Sequence, residues 1–377
     1  MATPRTHEVD IIRLLALLGI CIVNIPLMGI FEDGSFETPT ALYNQYAEFV
    51  TSLLIDGKFI LLFSFIFGWG IAIQEKSITA AGNNFSAYYF RRAAGLIILG
   101  LAHMLFVFSG DILVTYGVTS LLFWFIRDFA LRTSALRLSL IMTGLNFLLG
   151  IVFIMGLIGL YLFTDDENFL DYLVFENKDL GASFYEATRF RIKEGGSVLF
   201  LSLCMFTFQG LGAFALGYAA AHAGLFTENS AAFLKLRQAL PWLLVMGIIG
   251  NVPYALAISD LIDNAWLIPG IGLWFIGAPA LAAVYLYYTV IAARRIQVPE
   301  IFVLAGRNSL SVYVLQGIIA SLLFGGYGLG LFNQFRELAL IPIAIGIYLT
   351  SVLITGLYAK RFGRGFLEPV LRKISGS

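Results

Sequence analysis

The chain holds three histidines, and His103 is the one that lies deep in an apolar run, eight residues before Asp111. A buried imidazole beside a carboxylate is the arrangement that positions a general base. The same ring bonded to a backbone carbonyl would be purely structural, and the sequence leaves both readings open. His103 follows Arg92 by eleven residues, and Asn24 follows Arg13 by the same interval. Eleven residues make about three helical turns, or ~16 Å, so each pair shares one helix face with a guanidinium at its inner end. Asp10 stands three residues before Arg13, within ion-pair reach on that face. A carboxamide such as Asn24 can donate to the oxyanion of a tetrahedral intermediate, or simply bond a neighbouring helix.

Two further constellations stand at the ends of apolar runs. Asp56-Gly57-Lys58-Phe59 sets an acid beside a base at an outer rim. It is no phosphate loop, because the upstream glycine and following Ser/Thr of a Walker motif are missing. Gly306-Arg307-Asn308-Ser309 opens a run that continues through Ser311, Tyr313 and Gln316. Spacings of three and four put Arg307, Ser311 and Gln316 on one polar stripe, and an arginine at a helix start is either an anion site or a charge anchor. Asn146, Gln209 and Asn251 are the remaining amides inside apolar runs. Such residues are costly in lipid unless they face a partner or a wet cavity.

The composition says what must position these groups. Hydrophobic residues make up 59% of 377 and charged residues 13%, against about 25% charged in a soluble domain. The mean hydropathy is +0.85, so the bilayer is the solvent for most of the chain. A soluble enzyme, a disordered chain, a disulfide scaffold and a nucleic-acid binder are excluded. Twenty-four basic and 24 acidic residues cancel, leaving no global field to attract polyanions. Cys21 and Cys204 both lie in apolar runs, act as small hydrophobes, and suggest neither a disulfide nor a metal site.

The predicted fold is an all-α polytopic membrane protein of about ten helices, spanning 11–31, 58–76, 91–110, 111–128, 137–163, 196–224, 238–259, 265–293, 309–332 and 338–359. The runs are too long for a β-barrel, whose strands alternate over about ten residues. With both termini in the cytoplasm, 18 of 24 lysines and arginines fall inside, as the positive-inside rule requires. No cleavage signal follows the first span, which is expected to be retained. The organisation reads as a five-helix half (1–163), an outer loop (164–195) and a second five-helix half with a tail (196–377). The loop carries Asp165, Asp166 and Glu167 ahead of Phe169, Tyr172 and Phe175, and reads as an interfacial segment or a lid. In the tail, Phe362, Phe366, Leu367, Val370, Leu371 and Ile374 recur at helical spacing among basic residues, the pattern of a short helix on the inner leaflet. Gly68/Gly70 and Gly95/Gly100 are expected to let helices approach closely.

Several of these stretches together resemble a known family. Gly57-Lys58-Phe59 through Phe67-Gly68, then Gly100-Leu-Ala-His103 with Gly110-Asp111-Ile112-Leu113, form one half of the likeness. Gly306-Arg307, Tyr313-Val-Leu-Gln316, Tyr327-Gly-Leu-Gly330 and Gly365-Phe-Leu-Glu368 form the other. The chain resembles the YeiB family of bacterial inner-membrane proteins, itself of unknown function, over nearly its whole length. It is more distantly similar to the transmembrane acyltransferase superfamily, whose first helix carries an acid, then Arg, and a polar residue eleven further on. Asp10, Arg13 and Asn24 occupy those places here. The sugar O-acyltransferases have histidine where this chain has Asn24, so no base carries over at that position.

The acyltransferase resemblance implies a multi-pass protein of the bacterial inner membrane that moves an acyl group from cytosolic acyl-coenzyme A, as cosubstrate, to an extracytoplasmic glycan, lipid or small metabolite. His103, Asn24 and Asp111 would then be catalytic, and Arg13, Asp10, Arg92, Arg307, Gln316, Asp56 and Lys58 would bind substrate. No metal and no nucleic acid is expected; a homodimer is left open. The competing expectations are a transporter or flippase that uses the same polar groups as a relay, and a non-catalytic membrane component.

Overall fold

The computed structural model describes residues 7–30, 41–134, 178–227 and 230–376, and within 137–159 describes 137, 138, 140–142, 144, 145, 147, 148, 151, 152, 155, 156 and 159. Every described residue in the 137–159 stretch is helical. The fifth expected span, with Asn146, thus lies partly outside the described residues, as does the acidic and aromatic segment Asp165–Phe175.

A bilayer offers no partner for unpaired backbone N–H and C=O groups, so each apolar run must close its own hydrogen bonds as a helix. Among the described residues all regular structure is helical: α1 His7–Gly29, α2 Leu42–Leu54, α3 Lys58–Ala80, α4 Phe85–Phe106, α5 Leu113–Arg132, α6 Phe184–His222, α7 Ala231–Ile258, α8 Leu267–Arg295, α9 Glu300–Arg307, α10 Ser309–Phe324, α11 Glu337–Phe362 and α12 Glu368–Ser375, with two short 3₁₀ turns. Among the described residues, eight helical stretches are long and apolar enough to cross a membrane, with α2 and α3 counted together. The α9–α10 pair makes a ninth if taken as one span, although it bends by 91° at Asn308. The chain is an all-α polytopic membrane protein.

Three elements differ from the hydropathy reading. Helix α2 was not foreseen, because Asn44, Gln45 and Glu48 interrupt its apolar residues. Helix α6 starts at Phe184 rather than 196, since Ser183 and Glu186 form a reciprocal capping box that nucleates it within a polar stretch. The ninth span begins with a break rather than a straight polar stripe, although α9 and α10 both pack against α1 and α11.

Helix α1 is the hub. It packs against α3, α8, α9, α10 and α11. Closest approach falls where glycine removes the side chain: a Cβ on Gly68 of α3 would collide with the Phe214 backbone of α6. Gly70, expected to do the same, instead leaves room beside the Arg13 guanidinium, whose Nη2 would be 3.7 Å from an added Cβ. The tail helix α12 packs on α4, where Leu371 and Ile374 meet Gly95. Its apolar face is therefore covered at least in part by protein.

Candidate functional site

Helix α4 ends at Phe106 and α5 begins at Leu113, and the intervening turn folds Asp111 back toward α4. Asp111 Oδ1 accepts from the Val114 N–H at 3.0 Å, satisfying a free donor at the start of α5. Its Oδ2 lies 2.7 Å from His103 Nδ1. A Cβ on Gly100 would sit 2.6 Å from Asp111 Oδ1, so the glycine makes room for the carboxylate. Tyr313 of α10 completes the group. Its hydroxyl donates to Asp111 Oδ2 at 3.4 Å and accepts from the Ile112 N–H at 3.2 Å. His103 is only 4% exposed and Asp111 only 2%.

With Nδ1 given to the carboxylate, the neutral ring carries its lone pair on Nε2. Among the described residues Nε2 has no hydrogen-bond partner. It points toward Gly317, where an added Cβ would come within 2.5 Å of it. A narrow cleft of about 10 Å³ opens there, about the room one water molecule needs, lined by Asn24, Met28, His103, Phe108, Tyr313 and Gln316 among others. The imidazole of α4 and the carboxamide of α1 therefore face the same cleft. A buried carboxylate orients the ring while its other nitrogen stays bare, which is the geometry of a base awaiting a proton donor.

The inner end holds a second cluster. Asp10 is buried and receives two guanidiniums: Arg307 Nε at 2.9 Å and Arg13 Nη1 at 3.4 Å. Two cations on one anion leave positive charge in surplus. Arg92 adds to it, lying within electrostatic range of Arg13 and over the Phe67 ring at 5.6 Å, its buried Nε without a partner among the described residues. Between the two clusters the packing is closed. Leu17 is fully buried, and Gln316 Nε2 donates to its carbonyl at 3.4 Å.

Other expected site residues go elsewhere. Ser311 does not share a stripe with Arg307 and Gln316. The bend at Asn308 turns Arg307 toward α1, while Ser311 donates through N–H and hydroxyl to Glu368 of the tail. Asp56 and Lys58 are not brought to the cleft. Asp56 accepts from the Tyr254 hydroxyl at 2.8 Å, and the buried Lys58 Nζ donates to the Ser52 carbonyl at 2.6 Å. Lys58 closes the α2–α3 turn on itself, while Asp56 ties that turn to Tyr254 of α7 and, through its carbonyl, to Trp274 of α8. Asn251 donates to the Gly247 carbonyl in its own helix, and Gln209 is buried with neither amide atom partnered among the described residues.

Sequence reasoning did not single out Tyr313, Gly317, Glu368 and Arg191 as functional. The three-residue step from Tyr313 to Gln316 was the available signal for the first. Nothing local marks Arg191, which appears merely as one charge in a polar stretch.

The architecture and the cleft define a polytopic membrane protein with a buried His–Asp pair. Residues 220–376 match a family described as "Protein of unknown function (DUF418)". The chain is 26% identical to the Uncharacterized protein YeiB of Escherichia coli (strain K12), covering 98% of this chain and 96% of the relative. It is 24% identical to the Uncharacterized protein YxaH of Bacillus subtilis (strain 168), covering 98% and 93%. A 39.9 kDa protein in the amylase 3′ region of Bacillus acidopullulyticus is 30% identical over 31% of this chain. No solved structure matches. These likenesses, two of them over nearly the full length, agree with the resemblance to the YeiB family that the motifs carry.

Proposed function

We propose that this protein is a transmembrane acyltransferase of the bacterial inner membrane, with both termini in the cytoplasm, using cytosolic acyl-coenzyme A to modify an extracytoplasmic hydroxyl or amine. The observation that carries the reading is the bare His103 Nε2, backed by Asp111 and opening on a cleft shared with Asn24. Nε2 takes the acceptor's proton as its oxygen or nitrogen attacks the thioester carbonyl. The Asn24 carboxamide donates to the oxyanion that forms. As the C–S bond breaks, the proton passes from the imidazolium to the leaving thiolate. The cationic excess of Arg13, Arg307 and Arg92 suits the donor's phosphates. Arg13 and Asn24 stand ~16 Å apart on one helix face, a separation that an extended donor arm can cover.

The test is incubation of the purified protein with labelled acyl-coenzyme A. Slow hydrolysis should vanish in His103→Ala while binding remains, and both should persist in the exposed control Lys235→Ala. Absence of any coenzyme A affinity in the folded protein would refute the proposal.

One observation favours a second reading, a transporter or flippase: the 91° break at Asn308 puts Arg307 at a helix discontinuity, where transporters hold charged substrates. Uptake into liposomes that depends on Arg307 but not on acyl-coenzyme A would select it.

A further inference from the structure

Beside the His103 cleft lies a second cavity that no step above uses. It is lined by Arg191, Ser321, Tyr327 and Ser109, and it shares Met28 and Phe108 with the cleft. Arg191 of α6 is 3% exposed. Its Nη1 donates to the Phe106 carbonyl at 3.3 Å and its Nη2 to the Tyr327 hydroxyl at 3.5 Å, both neutral acceptors. Its buried Nε has no partner, and among the described residues no carboxylate lies within ion-pair distance.

A guanidinium stays charged in any protein environment, and a buried charge without an opposite partner is costly. The Phe106 carbonyl, at the C-terminus of α4, offsets part of that charge through the helix dipole. Helix capping, however, employs only the Nη1 edge. Nε is left with a donor and no acceptor beside a cavity whose other polar side chains are the hydroxyls of Ser109, Ser321 and Tyr327, the last two in contact with each other. The loop holding Tyr327 is fixed, since the Gly326 N–H donates to the Ala182 carbonyl at 3.0 Å and Phe184 packs edge-on against the Tyr327 ring. Phe106 follows His103 by three residues, about 5 Å along the helix axis.

We propose that Arg191, with Tyr327, is an oxyanion-binding subsite that holds a phosphate-type group of the molecule presented to His103. As part of an acceptor site this rests on the acyltransferase reading. As an anion site it does not, and the test below reads binding alone. The oxyanion can come from a soluble phosphorylated compound or from a phospholipid headgroup.

The experiment measures thermal stabilisation of the full-length protein in neutral detergent. It is titrated with inorganic phosphate in one arm and with short-chain phosphatidylglycerol in the other, at constant ionic strength. At least one probe should raise Tm saturably, and the tighter one identifies the source. Arg191→Gln, which keeps a donor for the Phe106 carbonyl, should weaken that binding more than tenfold. Arg191→Lys should retain it with reduced affinity, and it serves as the readout if the glutamine variant does not fold. Wild-type protein that responds to neither probe would overturn the proposal. So would Arg191→Gln protein with undiminished affinity. Loss of acyl transfer with phosphate binding intact would sink the enzyme reading and leave this site standing.

Discussion

Replacing Asp111 by Asn tests the centre of the site without emptying it. Three donors converge on the carboxylate: His103 Nδ1 at 2.7 Å, the Val114 N–H at 3.0 Å and the Tyr313 hydroxyl at 3.4 Å. An amide has one acceptor oxygen. The Val114 N–H is fixed by the backbone of α5, so that oxygen must stay in the Oδ1 position, and the amide NH₂ then faces His103 and Tyr313. Two donors cannot meet, so the imidazole moves its proton to Nε2 and accepts through Nδ1. Two bonds to a charged acceptor are lost, at ~1.5–3 kcal/mol each, and one neutral bond at ~1 kcal/mol is regained, a net destabilisation of about 2–5 kcal/mol. The base is lost with the tautomer. Replacing the carboxylate behind a catalytic histidine by an amide costs on the order of 10⁴-fold in rate, and any His103-dependent turnover should fall accordingly. The assay is ¹⁵N NMR of histidine-labelled protein in micelles, where three ring systems are simple to resolve and His103→Ala assigns the one of interest. The wild type should show a protonated Nδ1 and a bare Nε2, and Asp111→Asn the reverse. A wild-type ring protonated on Nε2, or no change in the variant, would refute the reasoning.

Gly317→Ala should close the cleft from the other side: its Cβ would lie 2.5 Å from His103 Nε2 and 3.0 Å from Val107. Overpacking of ~1–3 kcal/mol is expected in thermal unfolding, with carbethoxylation of His103 suppressed relative to His7 by mass spectrometry. Asp10→Asn leaves the Arg13 and Arg307 guanidiniums facing each other without their shared anion. Because both arginines are partly exposed, the loss should be about 1–3 kcal/mol rather than that of a fully buried pair. Added salt should restore part of it in a melting experiment. Glu368→Gln weakens the bonds from Ser311 N–H and Oγ that clamp the tail, so trypsin should cut at Arg372 and Lys373 faster while the remaining fragment melts as before.

Much of this was legible in the sequence because membrane burial constrains residue type so strongly. An imidazole or guanidinium within an apolar run has few tolerable surroundings, so His103, Asp111, Arg13 and Asp10 could be named with their partners from spacing alone. Spacing fails where the chain does not run straight. Arg307, Ser311 and Gln316 share a face only on an unbroken helix, and the bend at Asn308 sends them to α1, the tail and the cleft respectively. Spacing is also silent on contacts between distant segments. Asp56 and Lys58 resembled a rim site until Tyr254 and Ser52 claimed their polar atoms. Arg191 lies 85 residues from the carbonyl it binds, and no local pattern reports such a contact.

The two active readings make one shared demand on the structure. The cationic cluster at Asp10 and the base at His103 lie at opposite ends of the α1–α10 contact, and between them Leu17 is fully buried with its carbonyl held by Gln316. A donor arm reaching from the inner arginines to Nε2, or a substrate crossing between them, must part that contact. A single neutral hydrogen bond at 3.4 Å contributes only ~0.5–1.5 kcal/mol, so the barrier there is mainly apolar packing, which a ligand's own burial can replace. A scaffold needs no such opening. Gln316→Leu keeps the volume and deepens the apolar seal. It should leave a purely structural protein folded and unimpaired, yet slow both acyl-coenzyme A turnover and liposome uptake, whichever the protein performs. Unchanged turnover and uptake in that variant would mean that the two clusters do not communicate along this face, and the division of labour between inner arginines and outer histidine would have to be abandoned.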